Sequence, residues 1–153
     1  MVLLSLKAGL RAIEITGLTW GCLRENDKII ELVTTKGGKR RTVPVNRELK
    51  AALKDYRETR KHTRDTDRVF MNSRDPRQPL TPTSVAVWFH DLYTRRMGWE
   101  GYSSHSGRRT FATNAARKAT TVGGSLRDVQ DLLGHASLNT TQRYLEPSSD
   151  AKR

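Results

Sequence analysis

The sequence predicts an α+β domain, mostly helical, with a small antiparallel three-stranded sheet packed on one side. Three observations carry this. Past residue 47 the apolar residues recur at helical spacing: Leu49, Ala52, Leu53 and Tyr56 fall at i, i+3, i+4 and i+7. Before that, residues 18–45 hold short runs of strand character separated by tight-turn sequences. The length, 153 residues, suits one hydrophobic core, and the single boundary-like stretch, 71–82, does not read as a break between domains. One domain spanning residues 1–153 is expected.

Taken in order, residues 2–17 read as helical with a break at Gly9, the residue most easily placed in a turn. This opening is apolar but lacks a basic start and a small-residue cleavage site, so it reads as a helix and not as a signal peptide. "LTWGCL" (18–23) and "KIIELVTT" (28–35) read as strands around a "RENDK" turn, and "KGGKR" (36–40) as a Gly-Gly hairpin tip leading into the strand "RTVPV" (41–45). The helix carrying Leu49 follows, and then a loop, "RVFMNSRDPRQPLTP", over 68–82. Thr81 caps a helix with Pro82 at its first position, and Val85, Trp88, Phe89 and Leu92 form its apolar face. Ser103 or Ser104 is the expected cap of the helix carrying "HSGRRTFATNAARK". Ser125 and Asp128 form a capping box for "LRDVQDLL", Gly134 ends that helix and leaves His135 in a loop, and Asn139 caps the last helix, on which Tyr144 sits.

Charge narrows the function. Lys and Arg number 28 against 16 acids, a net charge of +12. A field of that sign attracts polyanions, and nucleic acid is the partner it fits best, because neutralising phosphates releases counterions. A solubilising surface or an anionic membrane would also suit the charge, but no basic amphipathic membrane helix stands out. No apolar run is long enough to span a bilayer. Cys22 is the only cysteine, which rules out a disulfide within the chain and makes a cytoplasmic compartment the default.

Four stretches could carry chemistry. "TTKGGKRRTVPV" sets Lys36, Lys39, Arg40 and Arg41 around a tight turn. It is either a solvated basic turn or a hairpin that enters a DNA groove and delivers an amine to a backbone oxygen. In "GLRAIEI", Arg11 and Glu14 could form an ordinary i, i+3 ion pair, the reading local spacing favours, or Arg11 could grip a phosphate while Glu14 orients it. His105 and Arg108 share a helix face, pairing a group that exchanges protons with one that holds an oxyanion, and Arg109 adds charge beside them. Finally, Tyr144 has mostly polar neighbours, Thr140, Thr141, Gln142, Arg143 and Glu146, with Leu145 the apolar exception. That setting argues for an available hydroxyl able to attack phosphorus. His62, His90, His105 and His135 lack zinc spacing, and there is no phosphate-binding glycine loop. A Ser-His-Asp arrangement stays open, although nothing marks a nucleophile elbow.

As an ordered set these stretches resemble the tyrosine recombinases, the phage integrase family. "AGLRAIEITGLTW" resembles the family's first arginine box and "TKGGKRRTVPV" its lysine hairpin. "HSGRRTFATNAA" resembles its His-x-x-Arg box, and "LRDVQDLLGHASLNTTQRY" its final box. The resemblance implies the fold of that family's catalytic domain and a site made of Arg11, Lys36, His105, Arg108, His135 and Tyr144, with Glu14 in support. It implies that Tyr144 attacks a DNA phosphate to form a 3′-phosphotyrosyl ester, that Arg11 and Arg108 clamp the non-bridging oxygens, and that Lys36 protonates the leaving 5′ oxygen. His105 assists proton transfer and His135 hydrogen-bonds the phosphate. Bond energy is kept in the ester, so no cofactor is expected, neither ATP nor metal. The implied partners are double-stranded DNA and further copies of the chain on that DNA, a tetramer in the full synapse. The implied setting is the cytoplasm, at the nucleoid, with no membrane. Lys39, Arg40, Arg41, Arg109 and Arg143 are the expected further DNA contacts. The family's N-terminal core-binding domain and the start of its catalytic domain are expected to be missing from this chain. A DNA-binding module of this fold without chemistry, a topoisomerase-like relaxing enzyme and an RNA binder are the rival readings.

Overall fold

The computed structural model describes residues 1–33, 40–60, 63–73 and 75–135, together with Asn139 and Gln142. Its first two helices follow the sequence pattern. α1 (Val2–Ala8) ends at Gly9, which takes the left-handed conformation at φ 62°, and α2 (Ala12–Gly17) starts after Arg11. A side chain at position 9 would be doubly disfavoured, since a Cβ there would lie 2.4 Å from Cδ1 of Phe111.

The sheet is antiparallel in the order β1-β2-β3, with β1 (Leu23–Arg24), β2 (Ile29–Val33) and β3 (Arg40–Pro44). Glu25, Asn26 and Asp27 all have positive φ and make the expected turn between β1 and β2. The first strand is shorter than the expected "LTWGCL". Trp20–Cys22 form a single 3-10 turn, because the Trp20 and Gly21 amides donate to the Asp67 and Asp65 carbonyls and not to a sheet partner. β2 and β3 pair in register from Ile29↔Pro44 to Val33↔Arg40. The residues of the expected hairpin tip, 34–39, lie outside the described residues.

After the sheet come the helices α3 (Arg47–Glu58), α4 (Pro82–His90), α5 (Ser106–Thr121) and α6 (Leu126–Leu133), and α4 runs on into a π-helical turn over Asp91–Arg96. The Thr81 hydroxyl accepts from the Ser84 amide, and the Ser125–Asp128 capping box is formed in both directions. Three expectations shift. The residue flanking α5 is His105 and neither serine. Its amide donates to Ser103 Oγ, while Ser104 is buried with its carbonyl accepting from Ser5. Trp88 is 37% exposed and not part of the core. Val85 and Phe89 carry the inward face of α4, and Trp88 packs edge-on against Phe89 at 5.1 Å. Asn139, expected as a cap, is itself helical.

The main core gathers α1 to α4 and the sheet around Trp20, Phe89, Leu4, Leu10, Ile15, Ile30 and Leu49, all buried. A second, smaller cluster joins α5 to α6 through Ala112, Ala116, Val129 and Leu133. α1 packs on α5, α2 on α4, and α6 on both α5 and β3. This brings Arg11, β3, the start of α5 and the end of α6 to one place.

Candidate active site

At that place three arginines surround one carboxylate. Glu14, its side chain 8% exposed, lies in the first turn of α2. Its Oε2 accepts from the Arg11 amide at 2.7 Å and its Oε1 from the Arg11 guanidinium at 3.2 Å. Arg41 donates to the same carboxylate from Nε at 3.2 Å and from Nη2 at 2.8 Å. Arg108 Nη1 stands 3.9 Å away. Burial by itself would raise the Glu14 carboxyl, but charge and hydrogen bonding from Arg41, the Arg11 amide and the charge of Arg108 together hold it below its ordinary value.

The other ends of these arginines meet one helix terminus. The last carbonyls of a helix have no partner within it. In α6 the Gln130 and Asp131 carbonyls accept from the His135 and Gly134 amides, a Schellman arrangement that needs the left-handed φ of 61° at Gly134. The next three are capped by the arginines in succession: Arg41 to Leu132 at 2.5 Å, Arg108 to Leu133 at 2.5 Å, and Arg11 to Gly134 at 3.3 Å. Arg108 also donates to the Gly9 carbonyl. Cations at the negative end of a helix dipole are favourable. Each arginine is thus tied both to the Glu14 carboxylate and to the end of α6.

His135 follows this terminus and is half-buried beside the cluster. Burial and then the charges of Arg108, Arg11 and Arg41 pull its imidazole down to about 4 from an ordinary value of 6.5. At neutral pH the ring is uncharged and acts as a hydrogen-bonding group.

Of the six residues expected in the site, Arg11, Arg108 and His135 come together in this cluster. His105 is exposed at the N-terminal end of α5, three residues before Arg108. Lys36 and Tyr144 lie outside the described residues, as do Lys39 and Arg143 among the expected DNA contacts. Arg109 is exposed and lines a shallow groove along α5 with Thr113, Asn114 and Arg117. Arg40 is exposed and paired with Glu31 at 2.8 Å. Arg41 departs from expectation. It is 7% exposed, with its guanidinium committed to Glu14 and Leu132, so it faces the interior and not a DNA groove. The signal was present in the sequence, because strand alternation puts Arg41 in phase with buried Val43 and opposite Leu32. Among the described residues, two larger concavities, about 720 and 820 Å³, lie elsewhere, lined by residues between 56 and 95 and, in the first, by Met1, and none of the cluster residues lines them.

Comparison with known proteins bears on what this cluster does. The model of the phage integrase family matches residues 1–150. The chain is 36% identical over 143 residues to tyrosine recombinase XerC of Pelobacter propionicus, covering 94% of this chain and 45% of that protein. It is 34% identical over 145 residues to tyrosine recombinase XerA of Pyrococcus furiosus, covering 94% and 48%. The chain therefore spans about half the length of the curated relatives it matches. Among solved structures, the XerA recombinase crystal structure superposes with a TM-score of 0.79 at 30% identity, over 99% of this chain and 53% of that one. The XerH site-specific recombinase bound to its difH substrate shares the fold, with a TM-score of 0.72 at 24% identity over 99% of this chain and 43% of that one.

Proposed function

The chain belongs to the phage integrase family, the tyrosine recombinases, and from that premise we propose that it cleaves and rejoins DNA strands through a 3′-phosphotyrosyl ester. The observation that carries the reading is the arrangement of Arg11, Arg41 and Arg108 around Glu14, with His135 beside them. Three guanidinium groups set against one carboxylate leave an excess of two positive charges. A phosphodiester brings one negative charge and gathers a second as a deprotonated phenol attacks it. A preorganised cationic site of that size stabilises the charge as it develops.

In this reading Tyr144 attacks the phosphorus and the 5′ oxygen of the DNA leaves. The phenol proton passes to His105, and Lys36 supplies a proton to the departing oxygen. Arg11, its side chain 32% exposed, meets a non-bridging oxygen from the solvent side. Arg108, its plane fixed by the Gly9 and Leu133 carbonyls, supports that oxygen from within. Neutral His135 contributes a hydrogen bond. A 5′ hydroxyl then attacks the ester, releases Tyr144 and restores the phosphodiester, so the number of bonds is conserved and no nucleotide is consumed. Duplex DNA is the proposed substrate, with Arg40, Arg109 and the basic residues outside the described set among its contacts. Copies of the chain assemble on it, four in a complete synapse. The proposed setting is the cytoplasm, at the nucleoid; among the described residues no helix is long and apolar enough to cross a membrane.

The test is a duplex nicked next to the cleavage position, so that the cut end diffuses away and the ester accumulates. Fragments from attachment regions supply the sequence. Wild type should give a covalent protein–DNA band on a denaturing gel, and Tyr144→Phe should bind the same DNA without giving the band. Binding without a band from wild type would leave a DNA-binding module of this fold.

A further inference from the structure

β3 turns an arginine inward. Position 41 alternates with Val43 on the buried side of the strand, and the exposed basic position is its neighbour Arg40. A guanidinium on the core side of a sheet is unfavourable unless it is fully hydrogen-bonded. Arg41 meets that requirement in two directions: Nε and Nη2 lie on the Glu14 carboxylate, and Nη1 lies on the Leu132 carbonyl at the end of α6. Position 134 is shaped around the same side chain. A Cβ added at Gly134 would sit 2.7 Å from Arg41 Cδ and 3.2 Å from its Nε. The side chain therefore passes directly under the turn that leads to His135.

We infer that Arg41 is a positioning residue for strand cleavage, clamping the C-terminal turn of α6 to Glu14 and thereby setting Gly134 and His135 against Arg11 and Arg108 without itself touching DNA. The inference rests on the strand-cleavage reading of the site. Because β3 carries the clamp, it also connects the strand that follows the lysine hairpin to the segment that precedes Tyr144. Lysine is a poor substitute, since a single ammonium cannot span a carboxylate and a carbonyl with a planar fork. Methionine fills similar space and makes none of the bonds.

Three readouts on wild type, Arg41→Met and Arg41→Lys separate this role from its competitors. The first is amide hydrogen exchange in the DNA-free chain. Exchange at Gly134 and His135 should rise in both variants by at least about tenfold more than at the α3 amides, because those two hydrogen bonds depend on the clamped turn and any loss of global stability is common to both regions. The second is duplex affinity against salt, where Kd should stay within about threefold and the slope should not change. The third is the single-turnover rate of covalent adduct formation at saturating DNA, which should fall by about thirtyfold or more. A weakened Kd with the salt slope reduced by about one phosphate contact would make Arg41 a DNA contact and overturn the inference. Unchanged exchange at 134–135 would overturn the clamp. An unchanged adduct rate at saturating DNA would reduce Arg41 to an ordinary structural residue. If wild type gives no adduct, only the cleavage reading fails, and the exchange result decides the clamp by itself. Should Arg41→Met fail to fold, Gly134→Ala disturbs the same contact from the other side with every charge retained, and the same three readouts apply.

Discussion

The two hydrophobic clusters hold their parts of the molecule by different means. α1 to α4 and the sheet surround large buried side chains, among them Trp20, Phe89, Ile30 and Leu49. α6 rests on α5 through Ala112, Ala116, Val129 and Leu133, two of them alanines. What the smaller cluster lacks in apolar area is made up at the end of α6 by hydrogen bonds from Arg41, Arg108 and Arg11 to three successive carbonyls. The lesson is one of division. Apolar burial builds the platform, and a polar network centred on Glu14 sets the position of the turn that carries His135. The network that orders the turn is also the one whose excess positive charge suits a phosphate.

The strongest way to break this contrast is Glu14→Gln. The substitution keeps the shape but leaves Arg41 and Arg108, both largely buried, without their counter-charge. Removing one partner from a buried ionic cluster costs about 3–5 kcal/mol, measurable by urea unfolding. A loss below about 1 kcal/mol would mean that apolar contacts hold the turn after all.

Next in size is a matched pair of truncations. Leu49→Ala empties the main core and should cost about 3 kcal/mol, slowing no exchange and raising it across the whole domain. Leu133→Ala should cost about 2 kcal/mol, since its surroundings of small side chains collapse more readily, and its exchange increase should concentrate in α6. Equal, global exchange profiles for the two variants would erase the distinction between the clusters.

A smaller effect comes from Gly134→Ala, where a left-handed φ of 61° meets crowding from Arg41. The backbone conformation alone should cost about 1–2 kcal/mol, read as a shift in thermal midpoint.

The smallest is a pH dependence. Folding lowers the imidazole of His135 to about 4 from an ordinary 6.5, through burial and the charges of Arg108, Arg11 and Arg41. The unfolded chain therefore takes up the proton first. The stability gained by keeping the ring neutral is complete above pH 6.5 and is lost as pH falls toward about 4. Glu14, whose folded carboxyl titrates below its ordinary 4.5, adds a loss of the same sign as pH falls below 4.5. The thermal midpoint of wild type should fall more steeply than that of His135→Asn between pH 6.5 and 4. Parallel curves would place the ring in solvent, away from the arginines.

How much of this was legible in the sequence depended on the range of the interaction. Thr81 with Pro82 and Ser125 with Asp128 are contacts within one turn, and local chemistry fixes them. The Arg11–Glu14 pair was visible as i, i+3 spacing, but not its enclosure by Arg41, which lies 27 residues away in the chain, or the bond from Arg11 to Gly134, 123 residues away. "LTWGCL" reads as a strand because its residues favour one. Tertiary contacts with Asp65 and Asp67 bend it into a turn instead. Trp88 lies beside the inward residues of α4 on the helical wheel, and the width of the buried stripe, which the sequence does not state, left it partly outside. Basic residues near a hairpin tip suggest a solvent-facing role, and only the two-residue period of β3 separates Arg40 from Arg41.

The most direct test of the account is to identify the atom that holds the DNA. The covalent adduct from the nicked duplex is digested with trypsin and nuclease and its peptides are weighed. Trypsin cuts after Arg143 and Lys152, so the account predicts the nucleotide remnant on the peptide that begins at Tyr144. A remnant on any other peptide, or no adduct from a chain that still binds the duplex, would contradict it.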